Sequence, residues 1–539
     1  MSGDGGPGRA VWLRPALAAG AVAALAWTST VPGGWGAGQD GGARQDQGGG
    51  QTSAPPAAAD PSTEEGEQAL VEQAALACAG REGLAGRALA VTAPEELLAT
   101  DGAGEGSLRV LGPREPAADP VPLAEDAAGV RLEAGDSALA LATGSDAAGL
   151  VAGQVLVGTG TDASPRGAAL SGCVAPAEDQ WLLAGGAEPG RTESLVLTNP
   201  GADPVRVDVE LRGEGGPVQV TGGAGLVVPA GGRLVRPVDA LAEGVDAPAL
   251  RVRTEGGPVA AQLVETFRDG TTELGTTVTS PAAAPARDLV VPPVPSGGDR
   301  TDLVLRVLAP EGPAVVELRS LTPTGPATPD PAAVRVAAGS TVDVPLEGLE
   351  EDATGLRLRA DAPVTASLQV RVVPSGDEPL EDPEEVDGAG TDEAAATTQA
   401  PGTGSEVVRP AGDLTWLPAT TLAVQPVGIA VPDLADVAGA RLELSLAALD
   451  ASTAEVLLRD REGGTTSRSV DLDNDTSALL EVPDGTTAVW VRPAEAGTPG
   501  LAAALHLTGE DDLGPYRAAT TLRPVPWTRE VTRITSVVP

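Results

Sequence analysis

The chain has 539 residues, with 76 acidic against 35 basic side chains and a net charge of −41, which excludes a nucleic-acid binder that works through a basic face. Hydrophobic residues make up 42%, too many for wholesale disorder. One His, two Cys and no lysine leave little for metal or nucleophilic chemistry. At roughly 100–200 residues per domain, the length implies about three to five domains. Every basic residue is arginine, and Asn and Ile are nearly absent, a bias that reports base composition more than physics.

The first element is Pro15–Val31, an uncharged run preceded by Arg9 and Arg14. A positively flanked apolar stretch at the start of a chain reads as an export signal. Its length also approaches that of a membrane span, so residues 1–31 form either a cleaved leader or a retained single anchor. Residues 32–63 have no hydrophobic period and read as a flexible tether. A second tether, 374–412, opens with Glu378, Glu381, Asp382, Glu384, Glu385 and Asp387. An acidic run of this kind stays solvated and extended.

A pair of short alternating segments recurs through the rest. It reads Ala138–Thr143 with Gly149–Val157, Ala249–Thr254 with Gly257–Glu265, Gly355–Ala360 with Ala362–Val370, and Ala488–Pro493 with Gly500–Leu507. Period-2 alternation bounded by Gly and Pro predicts strands, here paired as a hairpin. The copies recur at about the length of a β-sandwich domain, roughly 100 residues. Further strands fall in register: Ser194–Thr198 with Val205–Leu211, Asp302–Leu308 with Ala314–Leu318, and Arg441–Leu446 with Ala454–Leu458. Each has Leu or Val on one face and polar residues on the other, so the second face is expected to meet water. Leu226–Val235, Val334–Leu346 and Arg468–Val482 each supply two more strands. The openings Asp179-Gln-Trp181, Asp288-Leu-Val290 and Asp413-Leu-Thr-Trp416 align and set the unit starts. Glu67–Ala77 favours helix by propensity and is read as strand by analogy with them. The expected fold is all-β, with about four tandem immunoglobulin-like β-sandwich domains after an N-terminal hydrophobic helix. The units are 64–178, 179–287, 288–373 and 413–539, the last with a C-terminal tail.

Cys78 and Cys173 fall near the two ends of the first unit. In an exported protein such a pair forms one disulfide. The rival reading, a catalytic thiol, needs a His partner, and the only candidate is His506 in the last unit. His506 stands between Leu505 and Leu507 on an alternating strand, a surface or interface position. No Gly-x-Ser-x-Gly elbow occurs, and without lysine there is no Walker A motif. Asp471-Leu-Asp473-Asn474-Asp475 resembles a calcium loop, but Thr476 stands at the obligatory Gly and Val482 at the terminal Glu, so a plain turn is expected. No catalytic, cofactor or metal residue is assigned. Trp181 and Trp416 recur at equivalent opening positions and are expected in the core. Trp490 alternates with Val489 and Val491, which puts it on the wetter face as the preferred exposed contact. Arg251, Arg253, Arg357, Arg359 and Arg492 line the polar face of the repeated strand. They are placed either to grip an anionic polymer by bidentate pairing or to pair with cross-strand acids such as Asp208 and Glu210. The overall charge favours the second use.

The string Cys173 … Trp181-Leu-Leu-Ala-Gly-Gly-Ala-Glu-Pro-Gly-Arg191 … Leu195-Val-Leu-Thr-Asn-Pro-Gly201, with Val227–Arg233 and Gly257–Ala261, resembles an actinobacterial family of exported or membrane-anchored envelope proteins. That family is known only as a domain of unknown function. The resemblance is most specific over residues 170–270. It implies an extracytoplasmic location, repeated β-sandwiches and a single N-terminal anchor, and it supplies no catalytic residues. The expected function is a non-enzymatic scaffold or adaptor of the envelope, partnered by another envelope protein. The alternative is a module set that binds cell-wall carbohydrate or anionic polymer.

Overall fold

A computed structural model of the chain describes residues 67–98, 106–112, 121–124, 127–132, 136–158, 166–270, 272–295, 301–347, 354–372, 411–494, 500–512 and 514–531. The hydrophobic segment, the first tether and the acidic run lie outside the described residues. Among the described residues no helix is long and apolar enough to cross a membrane.

The architecture is nearly all strand. The first unit contains β1 (Glu67–Leu70), β2 (Gln73–Cys78), β3 (Ala85–Val91), the short helix α1 (Glu95–Leu98), β4 (Ser107–Leu111), β5 (Val121–Ala124), β6 (Ala127–Leu132), β7 (Ala138–Thr143), β8 (Val151–Gly158) and β9 (Gly167–Gly172). The second contains β10 (Asp179–Leu183), β11 (Arg191–Thr198), β12 (Val205–Gly213), β13 (Gly216–Val218), β14 (Leu226–Val228), β15 (Arg233–Pro237), β16 (Ala249–Glu255), β17 (Ala260–Asp269) and β18 (Thr272–Thr279). The third contains β19 (Ala286–Val294), β20 (Thr301–Leu308), β21 (Ala314–Thr322), β22 (Gly325–Ala327), β23 (Ala333–Val336), β24 (Thr341–Pro345), β25 (Thr354–Val372) and β26 (Asp413–Pro418). The fourth contains β27 (Val427–Ala430), β28 (Arg441–Ala448), β29 (Ser452–Arg459), β30 (Thr465–Leu472), β31 (Thr476–Val482), β32 (Ala488–Pro493), β33 (Leu501–Asp511), β34 (Gly514–Thr521), β35 (Arg523–Pro524) and β36 (Thr528–Val531).

Each unit is a two-sheet antiparallel sandwich of the same strand order. One sheet of each unit runs β2-β7-β4, β10-β16-β12-β13, β19-β25-β21 or β27-β32-β29-β30. The other runs β6-β3-β8-β9, β15-β11-β17-β18, β24-β20-β25-β26 or β31-β28-β33-β34. Two strands stand in exchanged places relative to an antibody constant domain. The first lies where the last would stand, and the last pair takes the place of the first. The recurring segments do not pair as a hairpin. β16 and β17 lie in different sheets, as do β7 and β8 and β32 and β33, while β25 passes unbroken through both sheets of its unit. Gly256 (φ 92°) and Gly257 (φ 148°) turn the chain at this crossing in the second unit.

The unit openings need a second correction. β10 pairs with β16 and β19 with β25, but β26 pairs with the second half of β25, from Ser367↔Pro418 to Val372↔Asp413. Asp413–Trp416 therefore completes the third sandwich, and β27, paired with β32, opens the fourth. The acidic tether connects two neighbouring strands of one sandwich, not two sandwiches. The alignment misled because a Trp-bearing strand is buried whether it opens a unit, as β10 does, or closes one, as β26 does.

The four sandwiches close into a ring. Their last strands meet at its centre, with β9 against β18 and β34, and β26 against β18 and β34. The second sheet of each unit packs its outward face on the core of the preceding unit. Val196, Val264 and Val278 join the first core, Leu414 and Trp416 the second, Ala504 and Ala519 the third, and Val155, Ala168 and Leu170 the fourth. At the closure β1 pairs with β36, Leu70 opposite Thr528. This arrangement explains the departure from the expected wet faces. β12 keeps its alternation of buried and half-exposed residues, but the eight residues from Ala260 to Phe267 in β17 are all buried, because both faces of that strand are covered.

Candidate functional site

The arginines of the repeated strand are spread around the ring and do not form one stripe. Arg251 makes a two-point pair with Asp179 across β16 and β10, at 2.9 and 2.5 Å. Arg357 grips Asp288 in the same way at 3.1 and 2.8 Å and also reaches Asp475 of the fourth unit at 3.0 Å. Arg492 pairs with Glu455 at 2.7 Å and donates to the carbonyls of Leu97 and Glu96 in the first unit. The Arg251 pair holds Asp179 below the usual carboxylate range, chiefly through the hydrogen bond. Arg253 stands 3.8 Å from Glu210 with its side chain 58% exposed, and Arg359 is exposed. Asp208 instead accepts the Gly225 N–H. Three of the five thus tie the repeated strand to a neighbouring strand of its sheet, and two of these, Arg357 and Arg492, also reach the next unit.

Trp490 is fully buried, contrary to its expected exposure. It packs with Leu89, Val91, Leu97, Val151 and Leu457, and its Nε1–H donates to the Gly149 carbonyl at 2.9 Å. The face that a lone sandwich would show to water is covered here by the first unit. Trp181 and Trp416 are buried as expected but are not equivalent. Trp181 sits on β10 among Leu183, Ala249, Ala282 and Leu308, whereas Trp416 enters the second core from the third unit. His506 is an interface side chain, buried and hydrogen-bonded to Ser445 Oγ at 2.9 Å. Burial first, then the Arg517 charge, push it down to about 3. Asp473 to Thr476 is a turn in which Asp475 adopts φ 52° and pairs with Arg319 and Arg357. Among the described residues no group of His, Cys, Asp or Glu is placed to hold a metal ion. Cys78 and Cys173 form a disulfide with Cα atoms 4.4 Å apart.

The strongest concentration of buried charge lies where the four last strands meet. Just before β9, the Arg166 guanidinium sends its Nη2–H to Asp511 Oδ1 at 2.8 Å and to the Gly514 carbonyl, and its Nη1–H to the Pro515 carbonyl at 3.2 Å. It also stacks on the Tyr516 ring at 4.1 Å. Asp413 of β26 accepts from the backbone N–H of Leu414 at 2.9 Å and of Arg517 at 2.8 Å. Burial pushes its carboxyl up to about 7, against the pull of those N–H groups, Arg166 and the Thr276 N–H. Every sandwich therefore contributes to this knot, through Arg166, Thr276, Asp413 and the Asp511–Arg517 stretch. A second knot joins the second and third units. Glu265 accepts from Arg191 and from Trp416 Nε1 (2.9 Å), Arg306 lies over the Trp416 ring at 4.7 Å, and Arg306 pairs with Asp343 at 2.7 Å. Burial, then the Glu265 charge, push neighbouring Glu193 up to about 8. Sequence reasoning missed both knots. Their trace in the sequence is a charged residue on a strand whose other positions belong to a core, as in Glu265 and Asp413.

A groove of about 780 Å³ opens between the fourth and first units. Leu89, Val130, Leu434, Val437 and Leu442 give it an aliphatic floor. At its rim Arg87 bridges Asp433 and Asp436 at 2.8 and 2.9 Å, and Arg461 takes the other oxygen of Asp433 at 2.8 Å. Among the described residues that line it there is no aromatic ring. Its size falls in the range of small-ligand pockets, and the rim charges of Arg87, Arg461, Asp433 and Asp436 are paired with one another.

Comparisons with curated proteins and with solved structures gave no match. The model of the Family of unknown function (DUF5719) matches residues 126–483, about two thirds of the chain. The matched stretch includes the whole second and third sandwiches and stops before β32 to β36, the strands that complete the fourth and close the ring. On that match, the chain belongs to the DUF5719 family of unknown function.

Proposed function

We infer that the protein is a non-enzymatic scaffold or adaptor of an actinobacterial cell envelope, displayed outside the membrane by its N-terminal segment. The observation that carries this reading is where the polar chemistry goes. The buried carboxylates Asp413 and Glu265 and the repeat arginines Arg357 and Arg492 are spent on holding sandwich to sandwich, which produces a stiff body instead of a reactive cleft. A disulfide belongs to an oxidising compartment and supports the location, as does the export-like leader. The source rests on the family resemblance and the arginine-only composition.

Cross-linking of the full chain in its native envelope, followed by mass spectrometry, tests this reading. Recovery of a defined envelope protein with the membrane fraction supports it. The exposed guanidinium groups of Arg253 and Arg359 favour the second reading, polymer binding. Saturable retention on purified cell wall that is lost in an Arg253→Glu/Arg359→Glu variant would replace the scaffold by that module.

A further inference from the structure

We propose that β30 is a docking edge at which a second copy of this chain adds its own β30, in antiparallel register centred on Ser469. The edges in the same place on the other sandwiches are broken or short. β12 is flanked by the three-residue β13 and β14, β21 by β22 and β23, and β4 has five residues; Pro217 and Pro326 lie in β13 and β22. Such breaks are how sheets blunt their edges. β30 instead runs eight residues without proline or glycine, paired along its full length with β29. Among the described residues no strand lies on its other side. Thr466, Ser467, Arg468, Ser469 and Asp471 are exposed.

Hydrogen-bond alternation fixes which groups are open. The Asp460 N–H donates to the Gly464 carbonyl at 2.9 Å, one step before the Arg459↔Thr465 pair. It follows that Thr466, Arg468, Val470 and Leu472 direct their backbone groups at β29. Thr465, Ser467, Ser469 and Asp471 direct theirs outward. A second β30 related by a two-fold axis through Ser469 pairs these outward groups with one another. Ser469 then meets Ser469, Ser467 meets Asp471 and Arg468 meets Val470 of the other copy. Sliding the register by one step is worse in either direction: centring on Arg468 sets Arg468 against Arg468, and like charges directly opposite destabilise a pair. Centring on Val470, one step the other way, opposes only residues 468–472 of the strand and shortens the ladder. The Ser469-centred register avoids the arginine clash, keeps the longer ladder and is isologous, the commonest oligomer interface.

Two measurements on the full chain in mild detergent test the proposal. Sedimentation velocity should give a dimer for the natural chain and a monomer for Ser469→Pro, which removes an outward N–H and leaves the β29 ladder its donors. Under oxidation, Ser469→Cys should form a disulfide-linked dimer. Ser467→Cys should not, because its two copies sit about 13–14 Å apart along the ladder. A monomeric natural chain, equal cross-linking at both positions, or capture of a different protein at Cys-substituted 469 would overturn the assignment.

Discussion

Asp413 concentrates the physics of this molecule in one carboxyl group. Three backbone N–H groups and Arg166 favour its charged form, yet burial outweighs them and holds it near 7. A carboxyl whose folded value exceeds its unfolded value binds a proton that the unfolded chain has released. Its stabilisation is complete below the unfolded value and disappears as pH rises through the folded one. Glu193, held near 8, has the same sign. Thermal unfolding should therefore occur at falling temperature from about pH 6.5 to about pH 9, above the range in which the buried His506 contributes with the opposite sign. In Asp413→Asn the chain should be weaker at pH 5 and the slope shallower. Gly275 has φ 117°, and a Cβ there would stand 2.2 Å from Asp413 Oδ1. Gly275→Ala should accordingly cost more than about 3 kcal/mol in chemical denaturation. Trp490→Ala should cost roughly 3–5 kcal/mol by the same assay, because the side chain is enclosed by two units and not by solvent.

At the scale of elements, strands were legible in the sequence and their partners were not. Alternation located β7, β16, β20, β28 and β32 nearly to the residue, and Gly and Pro marked their ends. Alternation alone does not say whether the next strand returns beside its neighbour or crosses to the opposing sheet, and so crossings read as hairpins. Trp416 shows the same limit, since a buried indole looks alike whether its strand opens a unit or closes one. The corrected pairing has a consequence for the acidic tether. Val372 and Asp413 stand opposite each other, so the tether closes a loop whose ends already meet, and loop-closure cost changes slowly with length. Excising residues 377–407 should leave the unfolding free energy within about 1 kcal/mol of the natural value in a denaturant titration. A collapse of the fold on excision would mean that the segment holds two bodies together.

For the whole molecule, the candidate site was the least legible part. A sequence lists arginines at regular intervals, but only closure of the ring shows that Arg357 and Arg492 reach into the next sandwich and that Trp490 has a second unit over it. The same closure gives the chain its doubly buried sheets and puts the charge knots beyond solvent, which is the basis for regarding it as a rigid display body. The two strands that join its ends supply the most direct test. With Leu70→Cys and Thr528→Cys in the full chain, the two thiols occupy directly opposed positions of an antiparallel pair, about 4.5–5.5 Å apart between Cα atoms. Peptide mapping after mild oxidation should find one intramolecular 70–528 disulfide beside the natural 78–173 bond. Both new thiols remaining free in the folded protein would contradict the closed ring and leave four sandwiches strung in a line.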